Sequence, residues 1–128
     1  MRILLDTCAF LWFIDADPAL SAAAEASIID AGNEILLSIA SVWEIAIKYR
    51  AGKLDLDIPP TRLVPRELAA NAIELLPISL DHVLATCALP LHHRDPFDRL
   101  LIAQCLAERL QIVSADRAFD SYGVQRLW

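Results

Sequence analysis

Residues 2–7 read Arg-Ile-Leu-Leu-Asp-Thr. A short apolar run that ends on an acid predicts a buried strand, Arg2–Leu5, with Asp6 at its carboxyl end. The next ten residues change period. Thr7–Ala16 carries helix-like apolar spacing up to the Asp17-Pro18 stop. The same strand-then-helix alternation continues along the chain. Ser21 is placed to cap a helix over Ala22–Ala31, closed by Gly32. Glu34–Leu37 predicts a second strand, and Ser41 opens a helix over Val42–Ala51 that stops at Gly52. After the loop Ile58-Pro59-Pro60, Thr61–Ala72 predicts a helix with Pro65 in its first turn. Leu75–Ile78 predicts a third strand, and Ser79 caps a short helix through Cys87. Leu89–Arg94 is a loop and Pro96–Leu110 a long helix. Gln111–Val113 predicts a fourth strand, Asp116–Ser121 a short helix and Val124–Leu127 an edge strand. Apolar strands alternating with helices give an α/β class with a parallel sheet covered on both faces. In such sheets ligands bind beyond the carboxyl ends of the strands, where strand order reverses.

Composition narrows the class. The chain has 128 residues, of which 56% are apolar and 22% charged, and its net charge is −6. Its mean hydropathy is +0.43. These values exclude intrinsic disorder and repeat-type classes, and the length predicts a single domain over residues 1–128. The acidic balance excludes a nucleic-acid reader that works by bulk basicity, while leaving room for a local basic strip. Three cysteines, Cys8, Cys87 and Cys105, form no C-x-x-C pair. They predict small buried thiols in a reduced, cytoplasmic chain. The amino-terminal apolar run is broken by Asp6 and lacks a small-residue cleavage site, so it does not read as a signal peptide. No apolar run reaches the ~18 residues of a membrane span.

Four acids fall where the predicted elements would bring them to one sheet edge. Asp6 follows the first strand and Asp116 follows the fourth. Glu44 and Asp98 lie in the first turns of two helices. Local roles compete for three of them. Ser41-x-x-Glu44 has the form of a capping box, Asp95-Pro96-Phe97-Asp98 that of an N-cap followed by proline, and Asp116 stands where it can cap the last helix. Asp6 fits a local role least, because a carboxylate closing an apolar strand is costly to bury without a partner. Four ionised acids together repel, so the cluster makes sense when a cation neutralises it. Oxygen ligands without nearby His or Cys suit Mg²⁺, with Mn²⁺ as the alternative. Neutralising these four acids would take the net charge from −6 to −2. His92 and His93, with Asp95, do not make a zinc site, since adjacent side chains diverge and no third soft ligand follows; they read as solvated loop residues. Thr7 can either orient a water beside the cation or cap the first helix. Lys48, Arg99 and Arg117 are candidate phosphate contacts, with Arg50 and Lys53 extending the basic stretch. Trp12, Phe13 and Trp43 read as core or subunit contacts. No Gly-rich phosphate loop or nucleophile elbow is present.

ILLDT at residues 3–7, SVWEIAIKYRAGKL at 41–54, HRDPFDRLLIAQ at 93–104 and IVSAD at 112–116 together resemble the PIN-domain ribonucleases, in particular the VapC toxins of bacterial toxin–antitoxin systems. The resemblance runs along nearly the whole chain in the family's order. It implies a three-layer α/β/α sandwich around a parallel sheet and a metal-dependent endonuclease acting on RNA. The family's acids fall on Asp6, Glu44, Asp98 and Asp116, which would hold the metal and carry the chemistry. The family's hydroxyl residue near the last acid falls on Ser114, where Thr is more usual. Asp95 is an additional acid of this subgroup. The resemblance also implies a homodimer, and a cognate antitoxin whose carboxyl-terminal segment places a basic residue in the acidic site. Two other readings of the same acids are a Mg-dependent phosphatase with Asp6 as nucleophile, and a non-catalytic module that binds basic peptides. Against the phosphatase, its D-x-D arrangement is absent, because Cys8 stands two residues after Asp6.

Overall fold

The computed structural model describes residues 1–128. Five strands form one all-parallel sheet: β1 (Arg2–Leu5), β2 (Glu34–Ser38), β3 (Ile73–Leu76), β4 (Gln111–Val113) and β5 (Arg126–Leu127). They lie in the order β3-β2-β1-β4-β5. Leu4 pairs with Leu36 on one side and Ile112 on the other, so β1 is central and covered on both faces. The chain steps outward from β1 to β2 and β3, then returns to place β4 on the opposite side of β1. Strand order therefore reverses between β1 and β4, and the crevice beyond their carboxyl ends is the ligand position of this topology.

The pleat sorts the core. Ile3, Leu5, Ile35, Leu37 and Val113 point to one face, against Ala9 and Phe10 of α1 (Thr7–Ile14) and Ala24 and Ile28 of α2 (Ala22–Ile29). Leu4, Leu36 and Ile112 point to the other, against Leu101, Ile102 and Cys105 of α6 (Pro96–Glu108). Successive strand residues thus enter opposite cores, as a period of two requires. The result is a sheet with helices on both faces, as the apolar patterning predicts. No helix is long and apolar enough to cross a membrane.

Several boundaries differ from expectation. The helix after β2 is α3, Ile39–Arg50, and its N-cap is Ser38, whose Oγ accepts the Ala40 amide at 3.0 Å. Strand runs into helix without a loop, so the cap is the last strand residue rather than Ser41. Ser41 is buried inside the helix with its Oγ unpartnered, and Glu44 stands in the second turn. The capping box expected of that pair does not form. Helix α4 (Pro60–Ala70) starts on its proline, one residue earlier than expected, which puts Pro65 in the second turn. Strand β3 lies two residues earlier than expected, because Pro77 has no N–H to extend a ladder. Helix α5 (Leu80–Ala85) continues into a 3₁₀ turn, Thr86–Ala88. Ser79 caps it, and His82 completes the box from the third helical position. Only Cys105 is a buried thiol, its pKa pushed up to about 12 by burial; Cys8 and Cys87 are exposed.

Asp95 is the N-cap of α6. Its Oδ1 accepts the amides of Phe97 at 2.9 Å and Asp98 at 3.0 Å, and Pro96 at the first helical position needs no partner of its own. Asp95→Ala should therefore lower unfolding stability by about 0.5–2 kcal/mol, the range for a lost cap, in urea or thermal denaturation. A variant as stable as the parent would show that the cap contributes nothing.

Candidate active site

Asp6 leaves the end of β1 directly into α1 and caps it, its Oδ1 accepting the Ala9 amide at 2.7 Å. The side chain is almost fully buried. Burial pushes its pKa up, the Ser114 hydroxyl and the Ala9 amide pull it back, and the charges of Glu44 and Asp116 push it up again. Asp6 is therefore both a cap and a member of the cluster. Ser114 directly follows β4, is fully buried, and also accepts the Asp116 amide at 3.0 Å through Oγ. One small hydroxyl thus ties the turn after β4 to the acid after β1.

Glu44 reaches the same edge from α3. Its Oε1 accepts the Thr7 hydroxyl at 2.6 Å and its Oε2 accepts Lys48 Nζ at 2.6 Å. Lys48 is one helical turn further along, and the bond to Glu44 raises the lysine's pKa. Thr7 spends its hydroxyl proton on Glu44 and does not cap α1, a role taken by Asp6.

Asp98 lies in the first turn of α6. Burial, then the charge of Asp95, push its pKa up to about 7; His93 opposes this, and Asp6 and Glu44 add to it. Asp116 caps the 3₁₀ segment Arg117–Tyr122, its Oδ1 accepting the Ala118 amide at 2.9 Å. The structure therefore brings together all four acids that the sequence singles out.

It also adds one residue. His93 Nε2 lies 2.9 Å from Asp98 Oδ2 and 3.0 Å from Asp116 Oδ2. Reading the His92-His93 pair as solvated loop residues is corrected for His93: divergence of adjacent side chains excludes their acting together, but leaves one free to turn inward. His92 remains exposed, its ring edge-on to Tyr122. The signal in the sequence was the spacing His93-x-Asp95, which sets the ring beside the amide of the residue that caps α6.

The basic candidates divide. Arg99 is corrected from a phosphate contact to a loop clamp. Its Nη1 donates to the carbonyls of Pro90 and His93, and its Nη2 to those of Thr86 and Leu89. Four of its five N–H groups are thereby used. Arg117 is exposed on the rim beyond Asp116. Lys48 and Lys53 line a cleft of about 330 Å³ that runs away from the acids between α1 and α3, with Thr7, Cys8, Leu11 and Trp12 on its walls.

What the site can do follows from charge. Asp6, Glu44, Asp98 and Asp116 lie within electrostatic reach of one another in a partly dehydrated pocket, and the raised pKa values of Asp6 and Asp98 express their repulsion and burial. Carboxylate oxygens dominate the donor set, and three groups, His93, Asp98 and Asp116, place a ligand-type atom within 4.8 Å of one another. Hard divalent cations fit such oxygens.

The PIN-domain family pattern matches residues 3–125. Ribonuclease VapC16 of Mycobacterium tuberculosis is 46% identical over 57 residues, which are 44% of this chain and 39% of that protein, so the match spans well under half of the relative. Among solved structures, VapBC2 from Rickettsia felis, bound to a DNA fragment from its promoter, superposes with a TM-score of 0.71 at 14% identity, over 100% of both chains. VapBC-1 from nontypeable Haemophilus influenzae gives 0.65 at 14% identity, over 98% of this chain and 96% of that one. At such identities these two structures speak for the fold. With the family's pattern running from β1 to the last turn before β5, the chain belongs to the PIN-domain family.

Proposed function

We propose that this chain is a metal-dependent endoribonuclease, the toxin of a toxin–antitoxin pair, that hydrolyses RNA phosphodiester bonds at the acidic edge. The observation that carries this reading is the convergence of Asp6, Glu44, Asp98 and Asp116, from four separate segments, on the edge where strand order reverses. Lys48 alone pairs with them as a cation, and His93 adds direct contacts to Asp98 and Asp116. Membership of the PIN family and the likeness to a ribonuclease add support.

Asp6 and Asp98 are the main candidates to hold Mg²⁺ or Mn²⁺, with Glu44 and Asp116 completing the site. A divalent cation there supplies a lowered pKa for water and neutralises charge on the scissile phosphate. The chain's own residues prepare the place. Ser114 and the Ala9 amide favour the ionised form of Asp6. Thr7 and Lys48 fix both oxygens of Glu44. Lys48 and Lys53 are the cations of the cleft that an RNA backbone can meet, beside Asp15 and Asp17 on the same lining, and single-stranded or looped RNA can be splayed into it.

The antitoxin reading has its own support. The acidic edge suits a basic side chain, and the adjoining cleft offers Leu11, Trp12 and Leu54 as apolar footing for an extended segment. The solved VapBC assemblies are relatives in fold. For the homodimer, Ile39, Trp43 and Ile47 form an exposed stripe at four-residue spacing along α3, and Leu80, Val83 and Leu84 are exposed on α5. Such apolar exposure marks an interaction surface.

Wild-type chain should cleave single-stranded RNA in Mg²⁺ or Mn²⁺ and stop when the metal is chelated. Asp6→Asn should lose cleavage to background while keeping its circular dichroism and, by light scattering, the mass of two chains. Cleavage that survives this substitution, or chelation, would remove the metal-site reading; metal-loaded protein that binds RNA yet never cuts it would favour a binding module.

The raised pKa of Asp98 gives a second expectation. Its value of about 7 lies above the ordinary 3.8, so between these pH values the folded chain binds a proton that the unfolded chain has lost. The associated stability is intact below about pH 4, declines as pH rises and is gone above about pH 7. Asp98→Asn carries no charge at any pH. Without metal it should exceed the parent in stability by about 1–2 kcal/mol at pH 8, allowing for solvent screening, with the gap smaller at pH 5 and closing near pH 4. It should also lose the melting-temperature rise that Mn²⁺ gives the parent. An equal gap at both pH values would contradict the assignment.

A further inference from the structure

We infer that His93 is a positioning residue of this site, a fixed Nε2–H donor to Asp116 that lies in contact with Asp98, and not itself a ligand of the cation. The inference rests on the metal-site reading above and concerns what the one imidazole in the cluster does there.

The ring is held from every side. The His93 backbone N–H donates to Tyr122 Oη at 2.7 Å, and Tyr122 Oη donates in turn to the Pro90 carbonyl at 2.7 Å. The His93 carbonyl accepts Arg99 Nη1 at 3.2 Å, and the same guanidinium gathers the carbonyls of Thr86, Leu89 and Pro90. Phe119 meets the ring edge-on, 6.2 Å between centroids. The imidazole is only 16% exposed. The loop over Leu89–Arg94, which has no regular structure of its own, is thus fastened by one arginine and one tyrosine so that one ring points at two carboxylates.

The tautomer follows from the remaining contact. His93 Nδ1 accepts the backbone N–H of Asp95 at 3.2 Å. A neutral imidazole has one nitrogen that donates and one that accepts. Nδ1 has spent its lone pair on an amide, so the hydrogen is on Nε2. That hydrogen is donated to Asp116 Oδ2 at 3.0 Å, while Asp98 Oδ2 lies against the same nitrogen at 2.9 Å. To ligate a cation through Nε2, the ring would need its hydrogen on Nδ1, facing the Asp95 N–H and breaking that bond. Metal-bound histidines have the reverse arrangement, with the far nitrogen donating to a carbonyl or carboxylate. Here the far nitrogen meets a donor, which the cap of α6 holds in place. Asp95 therefore acts twice: its carboxylate caps the helix, and its amide sets the hydrogen on His93.

The consequence is preorganisation. Two acids from different segments, α6 and the turn after β4, repel each other and would turn apart. The Nε2–H bond to Asp116 and the contact with Asp98 keep one oxygen of each beside a fixed ring, so the cation does not have to order them itself.

The test is equilibrium binding of Mn²⁺, read by the loss of its free-ion electron paramagnetic resonance signal, with Mg²⁺ measured by competition. It compares wild type, His93→Gln and His93→Ala. The parent's binding shows whether the metal site exists at all; if it binds neither ion, the metal-site reading fails and this inference with it. Given binding, His93→Ala should weaken both ions by the same factor, about 10–100-fold, the effect of losing a group that orients a ligand. His93→Gln, whose amide can donate from near the Nε2 position, should recover most of it. Unchanged affinity in His93→Ala would overturn the inference. So would a loss more than tenfold greater for Mn²⁺ than for Mg²⁺, since an imidazole ligand favours the transition metal. A Gln variant no better than Ala would also overturn it. Circular dichroism of the metal-free variants excludes unfolding as the cause, and the Gln variant keeps the test open if the Ala variant does not fold.

Discussion

Like-charge repulsion at the carboxyl edge of the sheet is the constraint around which the rest of the molecule is arranged. Two of the four acids, Asp6 and Glu44, are almost fully buried, and Asp98 is largely so. A pocket of this kind is unfavourable without compensation. The chain compensates with what each element end provides. Asp6, Asp95 and Asp116 each accept amides at the start of a helical segment, where backbone N–H groups stabilise negative charge. The hydroxyls of Thr7 and Ser114 serve the carboxylates of Glu44 and Asp6, and Lys48 and His93 supply the direct charge-assisted bonds. What is left uncompensated appears as the raised pKa of Asp98.

This arrangement ties topology to chemistry. Because β1 and β4 are neighbours with strand order reversing between them, the residues that follow them, Asp6 and Ser114 to Asp116, emerge side by side. α3 leaves β2 without a loop, which brings Glu44 across to Thr7. α6 enters from the other face, and its cap aligns Asp98. The two apolar cores on opposite faces of the sheet hold these starts rigidly. The acids sit on element ends rather than on mobile loops, and the one irregular segment that contributes, the loop bearing His93, is itself pinned by Arg99 and Tyr122. A site built to be destabilised when bare, on a scaffold that cannot relax it, favours binding of a cation over rearrangement.

Legibility in the sequence tracks the range of the interactions. Strands β1 and β4 could be read to the residue, because an apolar run ended by a polar residue is a local signal. The position of Asp6, Asp98 and Asp116 at element ends was equally readable, as was the cap by Asp95. Glu44 does reach the edge, but from the second turn and not the first: Ser38, not Ser41, begins α3, since the strand continues straight into the helix, and no local pattern distinguishes two serines three residues apart. β3 was placed two residues late, because its register is set by pairing with β2 and by Pro77 rather than by its own composition. His93 and Arg99 were misread for the same physical cause. His93 meets Tyr122 and Asp116 only where the final 3₁₀ segment lies back beside α6, and Arg99 is taken up by backbone carbonyls of residues 86–93, which side-chain patterning does not display. An arginine next to an acid looks like a phosphate contact until four carbonyls are seen to occupy it.

The central claim is that these four carboxylates form one cation site, with His93 outside the first coordination sphere. A crystal of the wild-type chain equilibrated with Mn²⁺, with anomalous diffraction recorded at the manganese edge, tests it most directly. The expected result is an anomalous peak bonded to carboxylate oxygens of Asp6 and Asp98, next to Glu44 and Asp116, with His93 Nδ1 still accepting the Asp95 amide. A peak bonded to His93 Nε2, or no peak among the four acids at saturating Mn²⁺, would contradict it.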